Sequence, residues 1–245
     1  DCLLSRGLGD VYKRQAQTLK KHALDRIAAA PAAAAAADFR QFLALAAQMQ
    51  PQLQTAVSAY LAHKPLVGDD LVNISRLLGL HNRLRNQAAV IDATAKMVAI
   101  PTVRADKVPP HEDKHIIAFG ALVEGMAKDF GLQYRNVDNR IFEVKLPGSG
   151  PEEFGILTHA DVVPVVADEW VLDDGTKLDP FQLTRVGGNL YGRGSIDDKG
   201  SIATVLFAMK AVKDSGLPLA RTIRLMIETT EETGGDAMKY YRAKT

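Results

Sequence analysis

Apolar residues recur at helical spacing from about residue 16 to residue 97. Beyond that the register changes to short apolar runs alternating with helical segments. LKKHALDRIAAA stops at Pro31, and the Ala-rich AAAAAADFRQFLALAAQM that follows has strong helix propensity. PQLQTAVSAYLAH carries Pro51 at a helix start, where a missing N–H costs no hydrogen bond. A loop intervenes near Gly68, and Asn73 to Met97 resumes the helical spacing.

After Met97, VAIPTV is a short apolar run broken by Pro101. HIIAFGALVEGMAKDFG reads as an amphipathic helix closed by Gly131. LQYRNV and RIFEVKL alternate as strands do, followed by the turn PGSGPEE. FGILTHADVVPV is a buried strand running into a loop, and LDPFQLTRVGGNLYGRG reads as strand, Gly-Gly-Asn turn, strand. SIATVLFAMKAVKDSG is a helix with apolar positions Ile202, Val205, Leu206, Met209 and Val212. RTIRLMIETT is a strand, and DAMKYYRAK opens another helix. Helices alternating with apolar strands predict an α/β fold, a largely parallel or mixed sheet flanked by helices, preceded by an α-helical N-terminal region. No internal repeat is visible.

Composition narrows the function classes. The 245 residues are 47% hydrophobic and 24% charged, close to the globular average. The net charge of +1 gives no electrostatic case for nucleic acid or an anionic membrane as partner. No apolar run approaches the roughly 18 residues that cross a bilayer. The lone Cys2 excludes an internal disulfide and a multi-cysteine zinc site. The stretch DCLLSRGLGDVYKRQ, residues 1–15, resembles translated adapter sequence and is set aside as a non-native or disordered leader. YYRAKT breaks off inside a helical pattern, so the chain reads as a fragment.

Three acidic groups fall at predicted strand ends, where ligands gather in such sheets. They are His159-Ala160-Asp161, Asp197-Asp198-Lys199 and Glu231-Glu232. Residues two apart on a strand point the same way, so Asp161 can accept a His159 N–H and raise its basicity as a ligand. Asp197 can bridge two cations, and Gly192, Gly194 and Gly200 permit tight turns around it. Of Glu231 and Glu232, one can ligate a metal while its neighbour faces a bound water. Singly, each group has an ordinary structural explanation: a strand-capping histidine, a helix-entry loop, a solvated acidic turn. Together they supply His, Asp and Glu, the donors suited to zinc and related dications. There is no nucleophile elbow, phosphate-binding loop or HExxH to support another mechanism.

With their flanks, LTHADVVPV, LYGRGSIDDKG and ETTEETGG resemble the M20 family of metallopeptidases in order and spacing. EETGGDAMKYY, with EW and LDPF after the first motif, looks most like the bacterial PepV-type dipeptidases. The resemblance covers residues 85–245, which it implies are the N-terminal part of a zinc-exopeptidase-like catalytic domain. Residues 16–84 read as a helical extension to which the resemblance does not reach.

The resemblance implies two divalent metal ions, zinc first, with manganese or cobalt as alternatives. His159 would bind one metal, Asp161 would orient His159, and Asp197 would bridge both metals through a cis Asp197–Asp198 peptide. Glu231 would be the general base and later the acid, and Glu232 would bind the metal opposite the one held by His159. The substrate would be a dipeptide or short peptide. A further acidic ligand, a further histidine and a domain that mediates homodimerisation would lie downstream, so this chain alone is expected to catalyse little or nothing. An N-acyl amino acid deacylase shares the apparatus, and a catalytically dead scaffold could use the same fold. These residues fit a cytoplasmic location as well as a periplasmic or secreted one.

Overall fold

A computed structural model describes residues 21–29, 38–104 and 108–244, in two compact units, up to Gln87 and from Ala88 onward. The expected leader at 1–15, the tract around Pro31 and Cys2 lie outside the described residues.

The N-terminal unit is helical. Helix α1 spans Lys21–Ala28, α2 Phe39–Met49 and α3 Gln54–Leu61. Asp38 caps α2, its carboxylate accepting the Gln41 N–H at 2.9 Å, and Pro51 opens a single tight turn into α3. Phe39, Phe42, Leu43, Leu53, Val57 and Tyr60 are buried, with the Phe39 and Tyr60 rings edge to face at 5.5 Å. Helix α4 runs Asp69–Val98, and from Ala88 it belongs to the second unit. It starts four residues before the periodic apolar pattern does, because Asp69 and Asp70 in its first turn favour the positive end of the helix dipole.

The C-terminal unit is built on a mixed four-stranded sheet. Helix α5, Lys114–Asp129, precedes β1 (Gln133–Val137), β2 (Ile141–Leu146) and β3 (Glu153–His159). A hairpin of β4 (Thr184–Val186) and β5 (Asn189–Tyr191) turns through Gly187-Gly188. Helix α6 (Lys199–Ser215), β6 (Thr222–Glu228) and α7 (Asp236–Lys244) complete the unit. Strand order is β1-β2-β6-β3, antiparallel except for the parallel pair β6 and β3.

The two-residue pleat divides the sheet's side chains between two layers. Phe142, Val144, Leu225 and Ile227 enter one core with Met97 of α4, Phe119 and Val123 of α5, and Ile202 and Leu206 of α6. The intervening residues face α7: Ile141 packs with Ala237 and Tyr241. Glu143, also on that side, is almost fully buried, and Arg135, Arg224 and the Tyr241 hydroxyl surround its carboxylate. Without those donors a carboxylate at that depth would cost several kcal/mol.

Candidate functional site

Parallel pairing decides where the site forms. β3 and β6 run side by side with His159 opposite Glu228, so the segments after them emerge together at one end of the sheet. Helix α6 connects them, and its first turn follows the acidic segment Asp197-Asp198. His159, Asp197 and Glu232 thus arrive from three separated stretches of chain. One donor atom from each lies within 4.8 Å of the others.

His159 is buried at the end of β3. Its Nδ1 donates to the main-chain carbonyl of Asp161 at 3.0 Å, with the Asp161 Oδ1 at 3.5 Å, and its Nε2 is 2.9 Å from Asp197 Oδ1. Burial opposes a charge on the ring, but the hydrogen bonds to Asp161 and Asp197 outweigh it and raise the imidazole to about 10. Asp197 is largely exposed, and its peptide bond to Asp198 is cis. Burial pushes the Glu232 carboxyl above its ordinary value, and the neighbouring charge of Asp197 adds to this while His159 opposes it. Anions gathered this closely favour a cation among them.

The loop that carries Asp197 is tightly built. Gly194 adopts φ +81°, and a Cβ on Gly200 would sit 2.1 Å from the Ser195 carbonyl oxygen. Lys199, fully buried, does not pair with its acidic neighbours; its ammonium reaches across the unit to the Ile100 carbonyl at 2.7 Å. Burial pulls this amine down to about 7, with the Asp161 charge opposing. The segment it grips is the short run broken by Pro101. There the Thr102 hydroxyl donates to the Ala160 carbonyl at 2.6 Å, and the Val162 N–H donates to the Thr102 carbonyl at 3.1 Å. Lys199 and Thr102 therefore tie the Asp197 loop to the residues around His159. Neither tie could be read from the sequence; the one signal was a lysine set between carboxylates and the glycine of an apolar helix.

Glu231 and Glu232 sit in a single tight turn, Glu231–Thr233, directly after β6. The buried carboxylate of Asp161 receives both of their main-chain N–H groups, Oδ1 from Glu231 at 3.2 Å and Oδ2 from Glu232 at 3.0 Å. The Glu231 side chain is exposed beside this cluster.

The same segment carries the likeness to known proteins. Residues 155–244 match the model of peptidase family M20/M25/M40. The chain is 36% identical over 111 residues to a putative dipeptidase, YtjP, of Bacillus subtilis, an alignment covering 45% of this chain and 22% of that protein. It is 34% identical over 116 residues to a β-Ala-Xaa dipeptidase of Lactobacillus delbrueckii subsp. lactis, covering 47% and 23%. The crystal structure of human carnosine dipeptidase 1 shares the fold with a TM-score of 0.58 at 24% identity, over 70% of this chain and 38% of that one. The chain thus spans well under half the length of these proteins. Over the part that they share with it, this chain is similar to dipeptidases and to peptidase family M20/M25/M40.

Proposed function

We propose that this chain carries the metal-binding and proton-transfer residues of a dipeptidase that hydrolyses amide bonds with two divalent cations, zinc in the first place. The observation behind the reading is the convergence of His159, Asp197 and Glu232 from three remote stretches, their donor atoms within 4.8 Å of one another. An imidazole and two carboxylates are a donor set that zinc accepts. The fit holds on electrostatic grounds too: Asp197 and Glu232 repel each other, and a cation between them relieves both.

In this reading His159 and Glu232 would each hold a cation, and Asp197 would contribute to holding both. When bound, the cations polarise the scissile carbonyl and acidify a water. Glu231, exposed beside the donors, would take the proton from the attacking water and pass it to the leaving amine, as a general base and then acid does. The His159 ring keeps its orientation through Nδ1, which is tied to the Asp161 carbonyl. Three donors serve one cation with positions to spare. Two cations need more donors than this cluster offers among the described residues. On this reading these three donors alone support little or no turnover, and activity is expected of a protein that spans the full length of these relatives.

The test uses that longer protein. Loaded with Zn²⁺ it should hydrolyse dipeptides, and chelation should abolish the activity. Hydrolysis of N-acyl amino acids instead would make it a deacylase, and metal uptake without any hydrolysis would contradict the enzymatic reading.

A further inference from the structure

We propose that the Asp161 carboxylate is a positioning residue for the Glu231–Glu232 turn, fixing both glutamates through their main-chain N–H groups. This rests on the reading above, in which Glu231 handles the proton and Glu232 holds a cation. The expected partner of this carboxylate was the His159 ring. Yet the closer acceptor of the His159 Nδ1 proton is the Asp161 main-chain carbonyl, at 3.0 Å, and the carboxylate Oδ1 lies 3.5 Å away. The two carboxylate oxygens accept from Glu231 N at 3.2 Å and Glu232 N at 3.0 Å.

The arrangement answers a physical need. The first N–H groups of a helical turn have no partner within the turn, and leaving them unpaired near the interior is costly. The glutamate side chains cannot hold the turn together, because their like charges repel. A buried carboxylate facing two adjacent N–H groups binds them more strongly than a neutral acceptor would. The residue that enters the turn is braced separately. The Thr230 hydroxyl accepts the Ala237 N–H at 2.8 Å and lies 3.4 Å from Glu228 Oε1. With the entry residue and the first two amides fixed, the direction of the Glu231 and Glu232 side chains follows from where Asp161 sits. Asp161 belongs to the same short segment as His159, so one segment sets the position of the imidazole and of both glutamates.

Asp161→Asn separates the two roles. The asparagine keeps one acceptor oxygen, turns the other position into a donor that faces an N–H, and leaves the main-chain carbonyl to His159. In the unsubstituted chain, NMR should detect through-hydrogen-bond couplings from the Glu231 and Glu232 amide nitrogens to the Asp161 side-chain carbon. In Asp161→Asn, at least one of the two amides should exchange about tenfold faster, while Leu225 and Ile227 amides and the His159 Nδ1 resonance stay in place. Zn²⁺ affinity should fall by about tenfold. Absent couplings, or unchanged exchange at both amides with a shifted His159 Nδ1, would overturn the proposal. Should the variant not fold, the couplings in the unsubstituted chain decide. Failure of the unsubstituted chain to take up Zn²⁺ would count against the proposed function and would leave the amide result to decide this inference.

Discussion

His159 Nε2 lies 2.9 Å from Asp197 Oδ1, although 38 residues separate them in the chain. The contact joins the buried end of a largely exposed outer strand to a loop at a helix entry. A hydrogen bond alone is a modest reason to bring together an imidazole and an exposed carboxylate with a second carboxylate alongside. The proposed shared cation would be a better one, and it would give each residue a measurable role.

Removing the imidazole should weaken metal binding most directly. His159→Ala leaves two carboxylates and no nitrogen donor. Zn²⁺ affinity should fall by more than about tenfold, exceeding the loss expected from altering a residue that only supports a ligand. Elemental analysis after dialysis, or calorimetric titration, checks it, and unchanged occupancy would exclude His159 as a ligand.

Glu231 should separate binding from chemistry. In a protein continued to the length of its relatives, Glu231→Gln should keep its metal. Its kcat should drop by about 10²–10⁴-fold, the usual worth of a general base. Turnover at the unsubstituted rate would remove Glu231 from the proton transfer.

The loop that presents Asp197 should not tolerate a side chain at position 200. A Cβ there meets the Ser195 carbonyl oxygen at 2.1 Å, a main-chain atom that cannot rotate aside. Gly200→Ala should cost about 1–3 kcal/mol of stability, as overpacking does, and should lower Zn²⁺ affinity because the loop has to move. Equal denaturation midpoints and equal affinity would show that the loop yields freely.

Glu228 gives a pH dependence outside the donor set. Burial raises its carboxyl above the ordinary 4.5, the negative charges of Asp161 and Glu231 adding to this while the Met238 N–H and the Thr230 hydroxyl oppose it. The folded protein therefore keeps this proton to a higher pH than the unfolded chain does. The stability it contributes is complete below the unfolded value and is lost as pH rises through the folded one. Glu228→Gln imitates the protonated form at every pH. Urea denaturation should find the two proteins closest in acid, with the unsubstituted one falling behind toward neutrality; a gap independent of pH would contradict the assignment.

The sequence carried the elements that local pattern determines. Strand β2 and helix α6 are legible because alternation and helical spacing persist through them, and β3 and β6 because short apolar runs mark them. Strand β3, expected to be buried, is an outer strand exposed over most of its length, and of the three acidic groups expected at strand ends Asp197-Asp198 lies instead at a helix entry. The start of α4 at Asp69 was hidden because polar first-turn residues interrupt the apolar periodicity. Ties between remote residues were hidden as well. Lys199 bonds to a carbonyl 99 residues away, and the Asp161 carboxylate to amides 70 and 71 residues on. The burial of Glu143 among Arg135, Arg224 and Tyr241 depends on sheet order and on α7 crossing that face. No periodicity announces a partner that only tertiary packing supplies.

The most direct test of the central claim is to crystallise this chain with Zn²⁺ and locate the ion by anomalous scattering. A zinc peak is expected in contact with His159 Nε2 and with carboxylate oxygens of Asp197 and Glu232. A zinc-soaked crystal with no peak among these three residues, or with zinc bound elsewhere, would contradict it.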